Sequence, residues 1–189
     1  MTSPAVSSTI LIVPGLRDHV EDHWQTLLAA RLPKARIVPP LETNKLNCRA
    51  RVDAIQCVMD AIKGPIILVA HSAGCLMLAH WASLYRRPIK GALLVTPPDL
   101  YANWPENYPS SMSLRDNGWA PLPRRALPFR SIVIASTNDH LAEFDAVKAM
   151  AEDWHADLVN LGPVGHLNPA SGYGPWPQAE VFIHMLDQT

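Results

Sequence analysis

Ala70-His71-Ser72-Ala73-Gly74 follows four apolar residues, Ile66-Ile67-Leu68-Val69, and leads into Cys75-Leu76-Met77-Leu78-Ala79. The run before it has the composition of a buried strand and the run after it that of a helix, which makes the pentapeptide a tight strand-to-helix turn. A serine at the apex of such a turn is lifted above the sheet edge, where its hydroxyl can meet a base on one side and a carbonyl on the other. The residues two before and two after it must be small, or strand and helix collide. The usual spelling is Gly-x-Ser-x-Gly; here Ala70 replaces the first glycine and Gly74 keeps the second. An ordinary turn with a helix-capping serine would look the same over five residues, so the rest of the chain must decide between the two.

Outward from this turn, strand and helix patterns alternate. Thr9 to Val13 is an apolar strand ended by Pro14-Gly15, and Trp24, Leu27, Leu28 and Leu32 then recur at helical spacing. Ala35 to Val38 is a short second strand stopped by Pro39-Pro40. Asn47 is placed to cap a helix carrying Val52, Ile55, Met59 and Ile62, with Gly64-Pro65 as its stop. Gly91–Val95, Ser131–Ala135 and Asp157–Leu161 supply three further strands. Phe144, Val147, Ala151 and Trp154 mark one late helix, and Pro175-Trp176-Pro177 opens another bearing Phe182, Ile183 and Leu186. Strands spaced by helices predict an α/β fold, a three-layer, doubly wound parallel sheet of about six strands. The near-continuous apolar strands fit burial on both faces. Residues 1–8 are expected to be a flexible N-terminus and residues 9–189 a single domain. Between Pro97 and Phe129 the period breaks down among prolines and aromatics. That stretch, about 97–129, is expected to form a small lid with a short helix near 110–117; a loop packed on the sheet by its aromatics is the alternative.

Composition limits the function. A chain of 189 residues with 48% hydrophobic and 17% charged residues has enough apolar surface for one sizeable core. A net charge of -1 offers no electrostatic basis for binding nucleic acid or an anionic membrane surface. No apolar run is long enough to span a bilayer, and no signal-peptide pattern opens the chain, so a cytoplasmic protein is expected. Three cysteines, Cys48, Cys57 and Cys75, show no Cys-x-x-Cys spacing, which argues against disulfides and a zinc site. Cys75 is expected to act as a small buried hydrophobe.

A serine hydroxyl needs a base to take its proton, and the base needs an acid to orient it. Two later strands supply both in the required order. The fifth runs into Ser136-Thr137-Asn138-Asp139-His140 and the sixth into Gly162-Pro163-Val164-Gly165-His166. Ser72, Asp139 and His166 are therefore the candidate catalytic residues. Asp139 could instead cap a following helix, Asp99 is a rival acid and His140 a rival base. Two backbone N–H groups are needed where negative charge develops on the substrate oxygen. Ala73, after the serine, and Leu16, in the loop after the first strand, are the candidates. Gly15, Trp24, Trp104 and Trp119 are the candidate substrate-binding residues. His19 and His23 are four apart, but the order His-Val-Glu-Asp-His matches no zinc-protease motif, so no metal site is expected. His71 is expected to point away from substrate.

These motifs together resemble the small serine hydrolases of the retinoblastoma-binding-protein-9 and bacterial YdeN type, within the alpha/beta-hydrolase superfamily. The matching pieces are Ile12-Val13-Pro14-Gly15 with His23-Trp24-Gln25, Val69 to Gly74, Ala135 to Asp139, Gly165-His166-Leu167-Asn168 and the tail Ser171 to Pro177. The resemblance implies the strand order 2-1-3-4-5-6 and a triad of Ser72, Asp139 and His166. Two departures stand out. The acidic-Asp-Trp patch frequent after the second strand reads Leu41-Glu42-Thr43-Asn44-Lys45, and the frequent Asp-Asp acid motif has Asn138 as its first member. The expectation is a cofactor-free serine hydrolase cleaving a small-molecule ester, with short acyl groups preferred under so small a lid. The alternative is a protein-binding module on a hydrolase scaffold, with a protein partner and little or no catalysis. The residues carry no signal for oligomeric state.

Overall fold

Alternation along the strands explains how the chain closes on itself. A computed structural model describes residues 6–188. In it Leu11, Val13, Leu68, Ala70, Leu94 and Val133 turn to one face of a sheet, and Ile10, Ile12, Ile67, Val69, Leu93, Val95, Ile132 and Ile134 turn to the other. Successive strand side chains point to opposite faces, so a strand that is apolar throughout must be covered twice. Each fully buried aliphatic side chain contributes roughly 1.5–3 kcal/mol.

The strands are β1 (Thr9–Val13), β2 (Ala35–Ile37), β3 (Ile66–His71), β4 (Gly91–Val95), β5 (Ser131–Ala135) and β6 (Asp157–Asn160). They form one parallel sheet in the order β2-β1-β3-β4-β5-β6, as the resemblance implied. Helices α2 (Cys48–Asp60), α3 (Ala73–Leu84) and α5 (Phe144–Asp153) cover the first face. Helices α1 (Trp24–Arg31) and α6 (Gln178–Asp187) cover the second. A short α4 (Ser111–Asp116) lies within the irregular stretch between β4 and β5, where a helix was expected. Asn47 caps α2 as its side chain predicted, its Oδ1 accepting from Ala50 N at 2.8 Å. Pro177 stands at the N-cap of α6, one place before the first helical turn.

Chain reversal between β1 and β3 puts the strand order's turning point beside Ser72, and parallel sheets bind ligands at such points. Residues 1–5 of the N-terminal segment lie outside the described residues. Ser7 N and Ser8 Oγ donate to the Asp187 carboxylate at 2.7 and 2.5 Å, and Ser8 is buried. No helix among the described residues is long and apolar enough to cross a membrane.

Candidate active site

Ser72 sits at the junction of β3 and α3 with φ 56° and ψ -131°. A non-glycine residue in that region costs on the order of 1–3 kcal/mol, and such strain collects at functional sites. The surrounding packing enforces it. A Cβ on Gly74 would lie 2.4 Å from the Val13 carbonyl oxygen, so only glycine lets α3 start this close to β1. Ala70, the departure from the usual pattern, carries its methyl group into the core between sheet and helices, where the extra carbon is accommodated.

The three candidate catalytic side chains meet. His166 Nε2 lies 2.8 Å from Ser72 Oγ, and His166 Nδ1 lies 2.8 Å from Asp139 Oδ2. With the carboxylate accepting from Nδ1–H, Nε2 is left with a lone pair facing the serine hydroxyl. The imidazole and carboxylate are 3% and 2% exposed, which keeps water from competing for either bond. Asp139 does not cap the following helix, since α5 begins at Phe144 with Glu143 at its N-cap. Its Oδ1 accepts from Leu141 N at 2.9 Å in a local turn, while Oδ2 faces His166. The rivals make other bonds, although the His140 ring packs beside His166 at 5.6 Å between centroids. Asp99 Oδ1 accepts from Tyr101 N in a local turn, and His140 Nε2 lies 3.3 Å from the Tyr108 hydroxyl.

The loop bearing His166 is bolted down by residues that sequence reasoning did not single out. Asn138 Oδ1 accepts from Gly165 N at 2.7 Å, and Ser171 Oγ accepts from His166 N at 3.0 Å. The His166 carbonyl accepts from His71 Nε2 at 2.9 Å and from Thr96 Oγ1 at 3.3 Å. Asn138 thus has a structural task of its own. The motif Ser-x-Asn that precedes Asp139 was the available signal; Ser136 Oγ donates to Asn138 Oδ1 at 3.0 Å and sets its orientation.

A cavity of about 140 Å³ opens beside Ser72. Gly15, Leu16, Ala73 and Trp104 line it, with Tyr108, Leu141 and Asn168 among its other walls. A Cβ on Gly15 would stand 3.2 Å from Ser72 Cβ, which shows how tightly the loop after β1 crosses the serine. Leu16 and Ala73 present N–H groups that take no acceptor among the described residues. Ala73 opens α3, where the helix dipole favours negative charge.

Two expected substrate-binding residues are corrected. Trp24 is 1% exposed and lies outside the cavity; its Nε1 donates to the Leu167 carbonyl at 3.0 Å, so it fastens the loop beyond His166. Trp119 is fully buried and donates to the Leu46 carbonyl at 2.7 Å, which ties the 97–129 stretch to the start of α2. A large indole with one polar atom is equally suited to a core position that offers one carbonyl. His71 is corrected too: it lines the cavity and packs edge-on to His23 at 4.6 Å between ring centroids. Burial and the neighbouring His166 hold the His71 imidazole well below its ordinary pKa, and it stays neutral. His23 caps α1, its Nδ1 accepting from Gln25 N at 3.2 Å. Burial first, then His166, lowers its pKa to about 4, against a smaller upward pull from Asp22. Among the described residues no group of three or more His, Cys, Asp or Glu side chains could hold a metal ion. Cys75 is buried, and burial raises its thiol pKa; Cys48, also buried, is pushed up to about 12.

Beneath the loop after β1 lies a buried arginine. Arg51 Nη1 donates to Asp18 Oδ1 at 2.7 Å, Nε to the Lys45 carbonyl at 2.5 Å and Nη2 to the Leu16 carbonyl at 3.3 Å. One guanidinium therefore ties the chain just after the Leu16 N–H, at the Leu16 carbonyl and the Asp18 side chain, to the loop at Lys45.

The chain is similar to known hydrolases over nearly its whole length. A YdeN-like hydrolase from Pectobacterium atrosepticum is 26% identical, with 95% of this chain and 90% of that chain covered and a TM-score of 0.81. The ydeN gene product of Bacillus subtilis is 20% identical, with 97% and 100% covered and a TM-score of 0.74. Est1E from Butyrivibrio proteoclasticus is 13% identical, with 98% and 87% covered and a TM-score of 0.69, a likeness of fold alone. No curated protein matches the chain. The family model described as serine hydrolase matches residues 10–185. With that span matched, the chain belongs to the serine hydrolase family.

Proposed function

We propose that the protein hydrolyses small carboxylic esters through an acyl-enzyme on Ser72. The supporting observation is the unbroken hydrogen-bonded line from the Ser72 hydroxyl through His166 to Asp139. Ser72 Oγ attacks the ester carbonyl carbon while His166 Nε2 takes the hydroxyl proton. Asp139 holds the imidazole with Nε2 facing the serine and stabilises the imidazolium that forms. The N–H groups of Leu16 and Ala73 receive the developing oxyanion. His166 then gives its proton to the departing alcohol oxygen as the carbon–oxygen bond breaks. Water attacks the acyl-enzyme with His166 again as base, releasing the carboxylic acid and restoring Ser72. Gly15 gives the substrate room above the serine, and Trp104 forms part of the wall. No step calls on a cofactor. Three unpaired cysteines support a reducing, cytoplasmic setting.

A fluorophosphonate probe tests this directly. It labels the wild type and spares Ser72→Ala, and Asp139→Asn lowers turnover of p-nitrophenyl acetate by roughly three to four orders of magnitude. An unlabelled wild type, or equal labelling of Ser72→Ala, would overturn the proposal. The small cavity supports a preference for short acyl groups; faster turnover of long-chain p-nitrophenyl esters would refute that part.

A further inference from the structure

We propose that the ester cleaved at Ser72 carries a carboxylate and that the Arg17 guanidinium receives it; this rests on the ester-hydrolase reading above. Arg17 directly follows Leu16 and lines the same cavity. Its guanidinium carbon stands 5.1 Å over the centroid of the Tyr108 ring. That contact holds the cation electrostatically and needs no carboxylate or carbonyl to pair with the guanidinium N–H donors. Among the described residues, no acceptor and no carboxylate takes any of those donors.

The charges around it make this cation conspicuous. Asp18 also lines the cavity, but its carboxylate is committed to Arg51. Asp139 is committed to His166. Among the other lining groups, His23 and His71 are kept neutral by burial at neutral pH. His140, which shares Tyr108 with Arg17, is likewise shifted down, by burial first and then by His166, against an upward pull from Asp139, with Arg17 adding a smaller downward effect. Arg17 is thus the charge on this lining that no protein group offsets. A planar guanidinium with no ion-pair partner among the described residues can take a carboxylate in bidentate geometry. The Tyr108 stack holds the fork in place before substrate arrives, so little side-chain freedom is lost on binding.

Two matched pairs of esters test this: 4-acetoxybenzoate against methyl 4-acetoxybenzoate, with the charge on the alcohol side, and monomethyl adipate against dimethyl adipate, with the charge on the acyl side. In at least one pair the wild type is expected to favour the anionic ester in kcat/KM by about tenfold or more, the range for a charged hydrogen-bonded contact. Arg17→Gln removes that preference, Arg17→Lys keeps part of it, and added salt shrinks it in the wild type. If Arg17 only props Tyr108, both members of a pair fall together in Arg17→Gln and the ratio stays put, which overturns the proposal. Labelling of wild-type Ser72 by fluorophosphonate separates the two levels. Labelling and neutral-ester turnover with ratios indifferent to Arg17→Gln defeat the carboxylate proposal alone. Absent labelling and absent turnover defeat the hydrolase reading. In that case calorimetric binding of 4-acetoxybenzoate to Ser72→Ala and to Ser72→Ala/Arg17→Gln decides: about tenfold weaker binding in the double variant supports a carboxylate at Arg17, and equal binding overturns it.

Discussion

His71 Nε2 donates to the main-chain carbonyl of His166 at 2.9 Å, so the residue immediately before the proposed nucleophile holds the backbone of the proposed base. The two rings lie 4.9 Å apart between centroids. Whatever shifts the turn at Ser72 therefore shifts His166 with it, and the serine–imidazole distance is kept by a second, independent bond.

His71→Leu breaks that bond inside the core. Losing one buried donor from a carbonyl that still has Thr96 costs about 1–3 kcal/mol. Urea denaturation is expected to read that loss. Turnover of a short ester should fall by roughly ten- to a hundredfold with KM little changed, because a small misplacement of the base affects the reacting geometry more than binding. Unchanged kcat would show that the His71 bond does not position His166.

Gly74→Ala places a methyl group against main-chain oxygen, with 2.4 Å to Val13 and 2.9 Å to Pro14. Neither atom belongs to a flexible side chain, so β1 and α3 must separate. A loss of about 1–3 kcal/mol is expected, on the scale of other overpacked sites, along with a sharp drop in activity as Ser72 and Leu16 move apart. Thermal unfolding checks the first part and ester turnover the second.

Arg51→Met removes a buried guanidinium and strands the Asp18 carboxylate. Breaking a buried pair in this way costs about 3–5 kcal/mol; Asp18 keeps some contact with water, which favours the lower end. The Leu16 carbonyl also loses its donor. Arg51→Lys restores the charge without the three-way fork, so it should recover stability better than kcat. Chemical denaturation beside ester kinetics separates the two effects.

His23 gives the fold a mild sensitivity to acid. Its pKa is lowered from 6.5 to about 4 in the folded protein. Between those values the unfolded chain binds the proton and the folded chain does not. The contribution of neutral His23 is fully present above pH 6.5 and declines as pH falls toward 4. His23→Asn keeps an acceptor for the α1 cap and removes the titration. Its denaturation free energy should therefore fall less than that of the wild type over this window; parallel curves would contradict the assignment.

The legibility of the chain follows the range of the interactions involved. The turn at Ser72, the Asn47 cap and all six strands could be read because each depends on neighbours within a few residues: apolar runs, proline and glycine stops, a capping amide. The candidate triad could be read because each member stands in the loop or turn that follows its own strand. The roles of Trp24 and Trp119 could not, since an indole at a wall and an indole in a core have the same sequence appearance. Only contacts with Leu167 and Leu46, far along the chain, tell them apart. The Arg51 fork was equally hidden: it joins a helix to a loop more than thirty positions away, with Asp18 at a separation of 33.

By itself, then, the order of residues determined which segments become strands and helices and which three side chains emerge at their carboxyl ends. Hydrophobic period and backbone stereochemistry act locally, and they leave little choice. Tertiary structure alone decided the distances that join Ser72, His166 and Asp139, that His71 lines the cavity, and that Arg17 lies against Tyr108 with no ion-pair partner among the described residues. Those outcomes depend on how loops from separate strands are bonded to one another, through Asn138, Ser171 and Arg51, and such bonds exist only after the sheet has brought the loops together.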